Sequence, residues 1–174
     1  YLISLGHERI AMMSAANDFI STRQRVQGYR EALAGAGLKV GEKMLVMASA
    51  DYSYASGLAA AEKLLTLPER PSAVFCVSDI LALSVISRAH DMGLSVPGDL
   101  AVTGFDDVDY TTMFHPYLTT VAQPCYEMGQ QSLRILLGML GGGQDVKKRT
   151  YLPHRLVVRE SACPSGGCGN NEKE

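Results

Sequence analysis

Residues 73–107 read AVFCVSDILALSVISRAHDMGLSVPGDLAVTGFDD, and this stretch decides the fold. It opens on an unbroken apolar run, Ala73-Val-Phe-Cys-Val77, too short for a helix and too apolar for a strand with one wet face. A segment with helical period follows from Ile80 to Met92, with Ser78 or Asp79 placed to cap it and Gly93 to end it. A second apolar run, Leu100-Ala-Val-Thr103, comes next. Strand, helix and strand in this order make a parallel pair, because a parallel connection needs a crossover.

The same unit recurs upstream. Ile10-Ala-Met-Met13 and Met44-Leu-Val-Met-Ala48 are two further near-continuous apolar runs, as expected of strands covered on both faces. Ser21-Thr-Arg-Gln24 matches a capping box ahead of Val26, Tyr29 and Leu33. Leu58, Ala61, Leu64 and Leu65 mark a second helix closed by Pro68. The expected fold is therefore α/β: a three-layer sandwich with a mainly parallel sheet. The pattern changes after Pro116, where Leu118 to Pro124 is extended. A fourth helix runs from Cys125 to Leu140, and Thr150 to Glu160 is again extended. From Cys163 the composition is that of a disordered tail. The division expected is a lobe over residues 1–120, a crossover and helix over 121–149 belonging to another lobe, a return strand over 150–162, and a tail over 163–174.

The chain has 174 residues, 47% of them hydrophobic and 20% charged, enough for one domain with a proper core. The net charge of −2 comes without a basic stripe, so this chain by itself is a poor ligand for nucleic acid. No apolar run approaches the roughly 20 residues that span a bilayer. The opening at Tyr1, without Met, leads us to expect a fragment of a longer protein. Cys76 reads as a buried small hydrophobe, and Cys163 with Cys168 as a chance pair of tail thiols rather than a zinc site. A reducing cytoplasm is the compartment this suggests.

Ligands of open parallel sheets bind beyond the carboxyl ends of the strands. The residues there are Asn17, Asp18, Arg23 and Arg25, then Asp51 and Tyr52, then Ser78 and Asp79, then Phe105, Asp106 and Asp107. Arg donates in a fork, Asp accepts hydroxyls, and one aromatic face completes the makeup of a pocket for a small polyhydroxylated molecule. Each has a plainer reading: Ser78 and Asp79 serve equally well as caps, and Arg23 and Arg25 as solvated helix-start residues. Asp106-Asp107 lacks the partners a metal site needs, and the calcium-loop pattern fails after it. No nucleophile elbow, P-loop or dinucleotide fingerprint is present, and His7, His90, His115 and His154 are scattered. Neither an enzyme nor a cofactor is expected.

Leu5-Gly-His-Glu-Arg-Ile-Ala11, Arg25-Val-Gln-Gly28-Tyr29 and Pro71-Ser-Ala-Val-Phe75 with Ser78-Asp79 are similar to motifs of the lactose/galactose repressor family. So are Gly93-Leu-Ser-Val-Pro97 through Gly104-Phe-Asp-Asp107, Pro116-Tyr-Leu-Thr-Thr-Val121 with Gln123, and Leu156-Val-Val-Arg-Glu-Ser161. The likeness runs over residues 1 to 162 in order. It implies the C-terminal lobe of a two-lobed, periplasmic-binding-protein-like fold, part of a DNA-binding transcriptional regulator whose effector controls lobe closure. By position it implies Arg25, Tyr52, Ser78, Asp79, Asp106 and Gln123 as effector contacts. It also implies a homodimer surface at Leu81, Val85, Arg88, Met113 and Phe114, although Met113 and Phe114 read equally as core from sequence. Operator DNA would be a partner only through an N-terminal headpiece that these residues do not include. Ser78 stands where the family usually has Asn, and Ser84 where it often has Gly. A periplasmic sugar-binding protein of a transport system is the rival reading.

Overall fold

The computed structural model describes residues 1–39, 41, 43–141 and 149–163. Six strands form one sheet: β1 (Ile10–Ala15), β2 (Leu45–Ala48), β3 (Ala73–Cys76), β4 (Ala101–Asp106), β5 (Thr119–Ala122) and β6 (Arg155–Val157). Their order is β2-β1-β3-β4-β5-β6; the first five run parallel and β6 is antiparallel to β5. The helices are α1 (Ile20–Gly35), α2 (Tyr54–Leu65), α3 (Asp79–Asp91) and α4 (Cys125–Leu140). Right-handed crossovers put α1 on one face and the packed pair α2 and α3 on the other, the three-layer arrangement expected. All six residues of β1 are buried, which is why that strand reads as an apolar run rather than an alternation.

The core is aliphatic and dense around Met12, Met13, Leu64, Val74, Leu81, Val85, Leu100 and Leu118. Leu81 and Val85 are here a correction. They were expected on a subunit face but are fully buried inside this one chain, because α3 turns that side toward α2 and the sheet. The part of α3 left partly accessible carries Ile80, Leu83, Ser87 and Arg88. Helix α2 meets α3 at Gly57, where a β-carbon would stand 2.1 Å from Ser84 Oγ and 3.0 Å from Leu81 Cδ2. Small residues on the two helices have thus been traded, Gly57 making room for Ser84. Gly57→Ala should cost about 1–3 kcal/mol by overpacking. Adding Ser84→Gly should make the pair clearly less than additive in chemical denaturation, because it removes the atom in the way.

Two helix starts differ from expectation. Helix α1 begins at Ile20 with Phe19 at the cap position and no side-chain cap, so Ser21 and Gln24 lie inside the helix and form no capping box. Asn17 does the local work instead, its Oδ1 accepting from Phe19 N (3.3 Å) and Thr22 Oγ1 (2.8 Å). Ser78 sits at the cap position of α3 without a capping hydrogen bond, and Asp79 points into the core. Cys163, read as a tail thiol, is disulfide-bonded. The rest of the expected tail lies outside the described residues. None of α4 is buried, and Tyr126, Leu133, Leu136, Leu137 and Leu140 are all more than half exposed.

Candidate effector site

The strand order 2-1-3-4-5 reverses direction between β1 and β3, and the carboxyl end of that junction is where an open sheet leaves a crevice. Arg25, one and a half turns into α1, reaches across it. Its Nη1 donates to Val77 O at 2.6 Å, just past the end of β3. Its guanidinium carbon lies 3.7 Å from the centre of the Phe105 ring, and Nη2 is 3.9 Å from Asp106 Oδ1. The cation is held over an aromatic face with one edge satisfied, which orients its remaining donors before any ligand arrives.

Asp106 closes β4, and its Oδ1 accepts from Gln123 Nε2 at 2.6 Å, the first residue past β5. Burial raises the Asp106 pKa; Arg25 and the Gln123 bond pull it back, while nearby Asp79 pushes it further up. On the other side of the junction Tyr52, after β2, shares a 2.7 Å hydrogen bond with Thr22 Oγ1. The Thr22 hydroxyl proton is committed to Asn17 Oδ1, so Tyr52 donates to Thr22 and keeps a free lone pair. Ser78 Oγ is buried with no hydrogen-bond partner among the described residues.

Asp79 takes a role distinct from both sequence readings. It is fully buried; its Oδ1 accepts from Thr120 Oγ1 (2.6 Å) and its Oδ2 from Val108 N (3.1 Å). It ties α3 to β5 and to the turn after β4, underneath the residues that face the crevice. Burial raises its pKa above the ordinary carboxylate value, with neighbouring Asp107 adding to the rise and the hydrogen bonds opposing it. Gly104 is the other half of this arrangement, since a β-carbon there would lie 2.3 Å from Asp79 Oδ1.

Among the described residues three non-glycine residues have positive φ: Tyr52 (55°), Asp106 (126°) and Asp107 (59°). All three stand at this one edge of the sheet. Such backbone costs about 1–3 kcal/mol per residue and collects where a site needs a particular presentation. The structure thus gathers Arg25, Asp106, Gln123 and Ser78 around the β1–β3–β4 strand ends, sets Tyr52 beside them, and puts Asp79 behind. Thr22 was given no place at this edge from sequence, and Asn17 and Phe105 stood at the strand ends without the roles the structure gives them: Asn17 orders the start of α1 and Phe105 is the platform for Arg25. A second, open groove at the amino edge, lined by Arg9, Pro68, Glu69, Arg70, Pro71, Ser72 and Asp99, lies far from these groups. No group of three or more His, Cys, Asp or Glu among the described residues is arranged to hold a metal.

The model for the periplasmic binding protein-like domain matches residues 1–162. The chain belongs to that family. Within it, the likeness is to the effector-binding part of lactose/galactose-repressor-type regulators. Catabolite control protein A of Priestia megaterium is 40% identical over 161 residues, which are 92% of this chain and 48% of that protein. The HTH-type transcriptional repressor CytR of Escherichia coli K12 is 37% identical, over 92% of this chain and 47% of its own length. The structure of a complex of the transcriptional regulator CelR with cellobiose superposes with a TM-score of 0.86 at 36% identity, covering 92% of this chain and 49% of that one. The chain thus spans about half the length of the curated relatives it matches, and those are repressors or control proteins by name, not transporters or enzymes.

Proposed function

We propose that this chain forms one wall of the effector cleft in a cytoplasmic, DNA-binding transcriptional regulator, and that the effector is a small polyhydroxylated molecule. The observation that carries this reading is the Arg25–Phe105–Asp106–Gln123 cluster at the topological switch point: a fork donor on an aromatic face beside a carboxylate. Arg25 would donate to ring or anomeric oxygens, Asp106 would accept from paired hydroxyls, Tyr52 would stack, and Ser78 and Gln123 would complete the bonding. Asp79 would act through the turn it holds. Binding consumes no chemistry, so no turnover is expected. The effector favours one lobe arrangement and shifts the population toward it, which resets the DNA-reading heads of a dimer.

The exposed apolar face of α4 supports assigning residues 121–149 to the other lobe, with β6 as the return strand. One wall alone should bind weakly: isothermal calorimetry with cellobiose, a nucleoside, a sugar acid and a polyol should find no affinity as tight as micromolar for this chain. Micromolar binding would show that the cleft needs no second wall. Met113 and Phe114 are 61% and 74% exposed, which supports a subunit face there, alongside the accessible side of α3 carrying Arg88. Phe114→Asp should therefore give monomers in light scattering of the protein, and an unchanged dimer would refute the assignment.

A further inference from the structure

We propose that Arg159 is a positioning residue that locks the Asp106–Asp107 turn to the two strands by which the chain leaves and re-enters the lobe; its regulatory meaning rests on the effector reading above. The two successive aspartates are each tied to a different crossing strand. Asp106 accepts from Gln123, at the exit of β5. Asp107 Oδ1 lies 2.7 Å from Arg159 Nη2, just past β6, with both side chains less than a fifth exposed. One turn therefore bridges the outgoing and the incoming chain.

The rest of the Arg159 environment is built to hold that bridge. Its Nη1 donates to Leu118 O (2.9 Å) and Thr111 Oγ1 (3.2 Å), which adds the entrance of β5 and the 3-10 turn over Asp109–Thr112 to the same guanidinium. Its backbone is clamped in both directions to Thr119, N–H donating to Oγ1 and the Thr119 hydroxyl donating back to the carbonyl, each at 2.8 Å. Two residues on, Ser161 Oγ donates to Val102 O at 2.6 Å and accepts from Thr119 N at 2.9 Å. The opposite side of the turn is fixed by Asp79 on Val108 N. The unusual φ angles of Asp106 and Asp107 lie between these anchors, and strained backbone persists only where its surroundings over-determine it.

Electrostatics point the same way. Asp79, Asp106 and Asp107 converge on one short segment, with Arg25 serving Asp106 from α1 and Arg159 serving Asp107 from the strand side. Without Arg159 the Asp107 carboxylate would face Asp79 and Asp106 with no cation beside it, and repulsion would open the turn. A ligand hydroxyl taken by Asp106 would bind the same carboxylate that holds Gln123 at the exit of β5. Occupancy of the crevice and the geometry of the β5–β6 crossing must then influence one another, as reciprocal coupling requires.

The test is hydrogen–deuterium exchange on this chain with no ligand present, so its outcome is separable from any effector screen. In Arg159→Gln, amides of residues 105–111 and 155–158 should exchange faster, on the order of tenfold, while β1 and β3 keep their protection. Adding Asp107→Asn should restore most of the protection at 105–111, because the uncompensated charge is gone. Wild-type protection in either segment, a loss spread evenly over β1 and β3, or no recovery in the double variant would overturn the proposal. Should Arg159→Gln fail to fold, Asp107→Asn alone decides: faster exchange at 155–158 with 105–111 kept near wild type supports the lock, and no change at 155–158 refutes it.

Discussion

Asp79→Ala should destabilise the domain by about 2–4 kcal/mol in chemical denaturation, the cost of leaving buried hydrogen-bonding groups without a partner. The substitution strands the Thr120 hydroxyl and the Val108 amide, and it opens a space beneath Gly104. Asp79→Asn is expected to stay within about 1 kcal/mol of wild type, because the amide oxygen can take Val108 N while its NH2 donates to the Thr120 oxygen. The two should also differ with pH. The folded Asp79 pKa is raised by burial, so its titration favours the fold below the unfolded carboxylate value of about 3.9 and this contribution is lost as pH rises through the folded value. Asp79→Asn should accordingly gain on wild type between pH 4 and neutrality. A difference between wild type and Asp79→Asn that does not vary with pH would contradict the direction of that shift.

The second large effect concerns binding rather than folding. Arg25→Ala should weaken effector affinity by about 100-fold or more in calorimetry, as loss of a charge-assisted, pre-oriented donor does. It should lower the melting temperature by a few degrees at most, since the side chain gives up one carbonyl, one ring and a 3.9 Å approach to Asp106. Arg25→Lys tests the geometry: it keeps the charge but loses the flat contact with Phe105 and the second donor. Lysine should therefore recover only a minor part of the affinity. Full recovery would mean that charge alone matters and that the fork and the aromatic platform do not.

The sheet was legible because β1, β3 and β4 are buried over most of their length, and a strand of that kind announces itself as an apolar run between turn residues. Strand β2 reads as such a run too, although it is an edge strand with Met47 half exposed. Helical period located α1 to α4, but period alone does not say which side of a helix faces which neighbour. Leu81 and Val85 were thus placed on a subunit surface when α2 covers them. Cap residues misled for a related reason. Ser21, Ser78 and Asp79 have the right chemistry near helix starts, yet the tertiary fold claimed Asp79 for Val108 and Thr120 and let Asn17 order the start of α1. The edge residues Arg25, Tyr52 and Asp106 were visible from strand ends alone. Their mutual contacts were not, because Arg25 and Asp106 are brought together only when β1 and β4 flank β3. Arg159 left no mark in sequence beyond its place in a motif, since Asp107, Thr111, Leu118 and Thr119 come from the turn after β4, the 3-10 turn and the start of β5.

The central claim is that the ligand site lies at the carboxyl edge of the sheet around the β1–β3 junction. Chemical-shift mapping on the isotopically labelled chain tests it most directly, with cellobiose, a nucleoside, a sugar acid and a polyol titrated in turn to millimolar concentration. At least one of them should shift the resonances of Arg25, Tyr52, Ser78, Asp106 and Gln123 together and leave the amino edge still. Shifts gathered instead around Arg9, Arg70 and Asp99, or no shift from any of the four, would contradict it.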